Sequence, residues 1–318
     1  MKVVQSRPGA IALVLFIATL LAARPMGLGL DDHNYLEYFN SAEEILSRYD
    51  GVSVVMNEPL WLLVCYGANV VFGSEGSLRF IIFASSVFAG IGLARINRWE
   101  LMPVVLYFAL PVSLKNHVDH LRQGYALGVY LLLFSLGGHW RVLRFATPLV
   151  HASFWVVIVI DVLLAWYYKR HPERTRVDAL KVLLVSAGVS MALSFGLAQV
   201  AAALGFRQAD VYDFMASEGS GVAFFLWLAL LPMLFVLANR RCFGPFAAFL
   251  GFYLGGYYFS PVAARIFENS YFLLCSSAPT DSRERRFLFW AMLITMGIAF
   301  AFTGNLYLRL LTLEAAPS

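Results

Sequence analysis

The stretch "KNHVDHLRQGY" at 115–125 sets two histidines, an aspartate, an arginine and a glutamine directly ahead of an apolar run ending at Phe134. If helical, Lys115, Asp119 and Arg122 or Gln123 recur every three to four residues, a pattern that can be a salt-bridged solvated face of little energetic value. Arg122 and Gln123, however, touch the start of an apolar segment, where an unpaired charge is costly and usually functional. A guanidinium there offers a fork of donors that suits a phosphate or diphosphate better than a point charge does. His117 and His120 are three apart, as some metal ligands are, but no third ligand adjoins them, so no metal requirement is expected.

A second group, "DDHNY" at 31–35, holds Asp31 and Asp32, either of which could act as general base on a hydroxyl or bind an ammonium group, with His33 sharing the proton work and Tyr35 beside them. The competing reading makes Asp32 a helix N-cap. Glu58 precedes Pro59 and can either face the same surface or simply begin a helix. Two isolated polar residues stand in apolar context, His151 in "LVHASFWVV" and Arg265 in "VAARIFENSYFLL". His151 could be a hydrogen-bonded core histidine, and Arg265 a snorkelling interface arginine with Tyr271 as aromatic anchor.

The elements that must position these groups are membrane helices. Of 318 residues, 60% are hydrophobic and only 14% charged, outside the balance of a soluble domain. The apolar residues come in runs of roughly 15 to 25, the length a helix needs to cross a hydrocarbon layer. No alternating pattern of barrel strands is present. The expected fold is all-α: a single integral membrane domain over 1–318, with about ten transmembrane or re-entrant helices. The net charge of +4 belongs to loop clusters and implies no nucleic-acid face. Three separated cysteines, Cys65, Cys242 and Cys275, suggest neither a disulfide framework nor a zinc site.

Loop charge orders the topology. Residues 24–58 carry seven acids against Arg24 and Arg48, which assigns this loop to the non-cytoplasmic side. Within it Tyr35, Phe39, Ala42, Ile45 and Leu46 fall at helical spacing, predicting an amphipathic helix lying along the membrane. The preceding apolar stretch reads as an uncleaved first span in preference to a signal peptide. Clusters at Arg141 and Arg144, 169–176, 239–242 and 283–286 look cytoplasmic. An even number of crossings must then separate them, which predicts an exit and return inside 145–168 and inside 244–282, with outer turns near His151 and near 263–269. Spans at 59–73, 79–94 and 101–114 fit only if one of them is re-entrant, and the polar loop 205–220 falls outside. Arg122, His151 and Arg265 thus describe an outward-facing cationic pocket opposite an acidic loop.

The order of short motifs resembles a family. "DDHNYLEYF" at 31–39, "NEPLWLL" at 57–63, "LRQGYALGVYLL" at 121–132, "VHASFWVV" at 150–157 and, more loosely, "AARIFENSYFLL" at 263–274 are similar to the successive signatures of the EpsG family, Wzy-like membrane polymerases of bacterial polysaccharides. The first loop also looks like that of GT-C glycosyltransferases. The resemblance implies polymerisation of undecaprenyl-diphosphate-linked oligosaccharide repeats into exopolysaccharide or O-antigen, on the periplasmic face of the bacterial inner membrane. It further implies lipid as surroundings, and a flippase and chain-length regulators as partners. On that reading His151, Asp31 and Asp32 are candidates for the base. Arg122, Gln123, Arg265, Tyr35, Glu58 and His120 would hold the diphosphate and substrate, with no cofactor. Fixed positive groups aimed at a leaving diphosphate lower the barrier to an oxocarbenium-like transition state.

Other classes stay open. A polysaccharide ligase or another polyprenyl-phosphate-dependent transferase would use the same arginines. A lipid-linked glycan transporter would place ionisable residues in mid-span, as Asp161 is, and show repeat symmetry, which the chain lacks. An acyltransferase would need a histidine and acid cluster, for which "HVDH" is the sole candidate.

Overall fold

A computed structural model describes residues 6–194, 196 and 221–303, so the polar loop expected at 205–220 lies outside the described residues. Every regular element among them is helical, as the all-α expectation requires. The chain divides into two compact units, Met1–Ala152 with Met296–Ser318, and Ser153–Thr295.

The first unit begins with α1 (Arg7–Ala22), whose N-terminus is capped by the Ser6 hydroxyl accepting from the Gly9 amide at 3.2 Å. The predicted amphipathic helix is present as α2 (Asp32–Ser47), burying Tyr35, Phe39 and Ala42 along one stripe. A single turn, α3 (Val52–Met56), leads to the long α4 (Pro59–Ile96), on which both α1 and α2 pack. Then come α5 (Leu101–Ala109), α6 (Pro111–Val118), α7 (Leu121–Leu136) and the short α8 (Trp140–Leu143), followed by a 3-10 turn at Arg144–Leu149.

The second unit contains α9 (Phe154–Arg170), α10 (Arg176–Ser194), α11 (Val222–Leu237), α12 (Arg240–Gly256), α13 (Pro261–Glu268) and α14 (Tyr271–Cys275). The last described helix, α15 (Arg283–Thr303), starts in this unit.

The expected tally of about ten crossing segments is corrected by helix length. Among the described residues only Pro59–Ile96 and Arg176–Ser194 are long and apolar enough to cross a membrane, or three segments if the pair α5 and α6 counts as one. That pair bends by 74° at Leu110, as a broken span or re-entrant loop does. Helices α1, α7 and α11 have 16 residues each, and α9 and α12 have 17. At ~1.5 Å per residue such helices reach roughly 24–26 Å, short of a hydrocarbon core of about 30 Å. The runs at 59–73 and 79–94 are one element with a break at Gly73, where φ is 67° and ψ 174°. The interval 145–168 holds a six-residue 3-10 turn and one helix instead of an exit and a return.

Within each unit small residues let backbones meet. A Cβ on Gly92 of α4 would lie 2.6 Å from the Leu131 carbonyl carbon of α7, and one on Gly128 would lie 2.7 Å from the Ser85 carbonyl oxygen. In the second unit Gly251 and Gly255 of α12, a G-x-x-x-G pair, sit against the carbonyl oxygens of Leu183 and Ala187 on α10, each 2.1 Å from where a Cβ would be. Tyr271, expected as a surface anchor, is instead buried, edge-on to Trp227 at 5.8 Å within a cluster that includes Phe246, Tyr253 and Phe267.

Gly251→Leu should therefore cost roughly 3 kcal/mol or more, since the obstacle is backbone. The melting temperature of the detergent-solubilised protein should fall by roughly 6–12 °C. Gly188→Leu, at a position with no atom within 4 Å of an added Cβ, should leave it nearly unchanged.

Candidate functional site

Glu58 is the focus of the polar residues in the first unit. It precedes Pro59 at the N-terminus of α4 in left-handed backbone geometry, φ 61° and ψ 52°, rare and costly for a residue with a Cβ. Its side chain is 4% exposed. One carboxylate oxygen, Oε2, accepts from Arg122 Nη1 at 2.6 Å. The other, Oε1, lies 2.7 Å from His151 Nδ1 and accepts from the Ala152 amide at 3.0 Å. Burial pushes the Glu58 carboxyl up, but the Arg122 guanidinium, the His151 contact and the Ala152 amide outweigh it and hold the group well below the usual carboxylate range.

An ionised carboxylate can only accept, so Nδ1 carries a hydrogen; when the ring is neutral the lone pair is then on Nε2, the form in which a histidine serves as base. Arg122, in the first turn of α7, spends Nη1 on Glu58 and lies with its guanidinium carbon 5.2 Å from the centre of the Tyr38 ring. Its side chain is 16% exposed, and it also interacts with the Tyr35 hydroxyl. A guanidinium carries five N–H donors, more than these contacts use, so it can also receive an anion.

Aromatic residues support this group. The Tyr35 hydroxyl accepts from the Arg122 amide at 3.4 Å, and its ring meets Trp61 edge-on at 5.9 Å. Trp61 in turn meets Tyr125 at 6.3 Å. Burial raises the Tyr35 hydroxyl far above its ordinary value against the opposing pull of Arg122, so it stays protonated.

The acidic pair after α1 divides its work. Asp32 is 1% exposed and is bound bidentately by Arg24, at 2.5 and 2.6 Å, while its Oδ2 also accepts from the Gly27 and Gly29 amides. Arg24 reaches on to the Val118 carbonyl at 3.1 Å, and Leu30 donates to Asp119 at 2.9 Å. The first loop is thereby tied to the junction between α6 and α7, just ahead of Arg122. Asp32 is thus a structural tie, at the first helical position instead of the N-cap. Asp31 holds the N-cap position without a side-chain capping bond and accepts from Asn34 at 3.3 Å.

Of the other candidates, Gln123 is buried on α7 beside Arg122, and His120 occupies the N-cap position of that helix. Arg265 lies in the last turn of α13, in the second unit, where its carbonyl accepts from Asn269 at 3.2 Å. Asp161 is a half-buried residue of α9. His117 is a fully buried core histidine, 3.1 Å from both the Ser85 and Tyr107 hydroxyls. Arg24, Tyr38 and Trp61 were missed as site residues. Tyr38 follows Tyr35 by three on the α2 stripe and could have been found from that spacing; the partnership of Arg24 with Asp32 spans a loop and could not. Among the described residues no group of three or more His, Cys, Asp or Glu side chains could hold a metal ion.

No family model matches this chain, and neither does any curated protein or solved structure.

Two measurements probe these contacts. Asp32→Asn leaves a buried guanidinium without its counter-charge and should cost roughly 3–5 kcal/mol in thermal or denaturant unfolding. The Glu58 carboxyl is depressed on folding, so its stabilisation is complete above the ordinary carboxylate range and is lost as pH falls toward the folded value. Glu58→Gln should accordingly flatten the decline in stability between about pH 5 and 3, and an unchanged slope would contradict the assignment.

Proposed function

We propose that this protein is a membrane glycosyltransferase that joins undecaprenyl-diphosphate-linked repeat units into polysaccharide at the periplasmic face of a bacterial inner membrane, as the EpsG-family polymerases that its motifs resemble do. The observation that carries the reading is the bridging of Arg122 and His151 by one buried carboxylate, Glu58. A phosphate-binding cation and a histidine oriented as base are the two groups that transfer from a lipid diphosphate needs, and they stand within one contact of each other.

In the proposed reaction the anomeric C–O bond to the diphosphate breaks while the acceptor hydroxyl oxygen forms the new bond to that carbon. His151 Nε2 takes the hydroxyl proton, and Glu58, still ionised, balances the imidazolium. Donors of the Arg122 fork turned away from Glu58 meet the charge gathering on the leaving diphosphate. Tyr35 and Tyr38 flank the guanidinium and limit its swing. Asp31 stands as a polar neighbour of this machinery, and Asp32 fixes the loop that carries it.

The polymerase reading is tested in the host. Depletion of the protein should remove the surface polysaccharide ladder on a gel while single repeats persist on the outer lipid; accumulation of repeats on the cytoplasmic side would favour a transporter instead. Arg122→Lys keeps the charge and loses the fork, and should abolish chain growth with protein still in the membrane. His151→Gln should slow polymerisation by about 100-fold or more. Polymer of normal length from either variant would sink the assigned roles.

A further inference from the structure

The second unit holds a concentration of arginines that the proposed reaction does not use. Segments 169–176, 239–241 and 281–286 carry nine Lys and Arg residues against three acids. Like charges so placed repel unless something negative lies between them.

Two of these guanidiniums converge on a single atom. Arg176 Nη2 donates to the Val236 carbonyl oxygen at 2.9 Å, and Arg285 Nη2 donates to the same oxygen at 2.6 Å. Arg285 also reaches the Leu237 carbonyl at 3.4 Å. These carbonyls belong to the last turn of α11, whose partial negative charge draws cations but is only a fraction of one electron charge. Arg240, in the first turn of α12, is within electrostatic reach of Arg176. The acid beside them is Asp281, which pairs with Arg285 through its Nη1 and is itself exposed. A separate observation concerns a donor: Arg176, a half-buried residue, has its Nη1 out of water with no hydrogen-bond partner among the described residues.

The ground next to this cluster is apolar. Val177, Leu180 and Leu184 of α10 are exposed at spacings of three and four, forming one stripe that begins directly after Arg176. A guanidinium group at the head of an apolar stripe complements the charge and shape of an anionic phospholipid: a phosphate above, acyl chains below.

We infer that Arg176 and Arg285, with Arg240 beside them, form a binding site for the phosphate of an anionic phospholipid whose acyl chains lie along Val177, Leu180 and Leu184. The site is independent of the glycosyl-transfer reading. It uses residues of the second unit alone, and its occupancy is read without any assay of activity.

The test uses the full chain purified in detergent and incubated with equal amounts of phosphatidylglycerol and phosphatidylcholine, bound lipid being counted by native mass spectrometry. The wild-type protein should retain phosphatidylglycerol in preference. Arg176→Gln/Arg285→Gln should lose that preference, and Arg240→Gln, which breaks no hydrogen bond described above, should weaken it roughly fivefold. Arg240→Gln keeps the inference falsifiable if the double variant fails to fold. Equal retention of the two lipids by wild type, or an unchanged preference in folded Arg240→Gln, overturns it. Stabilisation by inorganic phosphate at matched ionic strength, without any preference between the lipids, would replace the lipid by a soluble phosphate and overturn the assignment as stated.

Discussion

A carboxylate on a side chain 4% exposed can stay ionised only if its neighbours supply the donors that water no longer does, and the first unit is organised around meeting that requirement at Glu58. The partners come from α7, in Arg122, and from the chain just after the 3-10 turn, in His151 and Ala152. Each loses an anionic acceptor without Glu58. The left-handed backbone at Glu58 is the strain that accompanies this arrangement, and three charge-assisted contacts are what sustain it.

The second buried ion pair, Arg24 with Asp32, works differently. It faces no binding group; it closes the loop after α1 and fastens it to Val118. Arg79 adds to the same tie by donating to the carbonyls of Ala22 and Arg24 at 2.8 and 3.2 Å, covering the open end of α1. One pair thus carries the candidate chemistry while the other keeps the entrance of α2 where Tyr35 and Tyr38 can reach Arg122.

Much of this was legible in the residues. The stripe of Tyr35, Phe39 and Ala42 announced α2, because helical periodicity is a local property. Arg122 was singled out by a charge at an apolar border, His151 by isolation, and Glu58 only by its place before Pro59. Their union was not legible: Glu58 is separated from Arg122 by 64 residues and from His151 by 93, and no periodicity encodes such a contact. Span counting failed for a related reason. Hydropathy reports that a run is apolar, not that it stays straight: Leu110 is extended ahead of Pro111, and Gly73 takes a positive φ, neither of which hydropathy registers. Loop charge likewise could not reveal that 145–168 contains a single helix, which removes the crossing argument for His151 while leaving its contact with Glu58 intact.

The break at Gly73 divides α4 into halves with different freedom to evolve. The half from Ser74 to Ile96 is locked by glycine-mediated backbone contacts with α7 through Gly92 and Gly128, and tolerates little change. The half from Pro59 to Phe72 follows directly on Glu58, and its Trp61 packs on Tyr35 of α2. At the break itself, the Ser74 hydroxyl donates to Asn40 of α2 at 2.6 Å. Substitutions along α2 and the first half can therefore reshape what is recognised near Arg122 without disturbing the packed half. A single non-helical residue thus separates the part of α4 that adjoins Arg122 from the part that holds the scaffold.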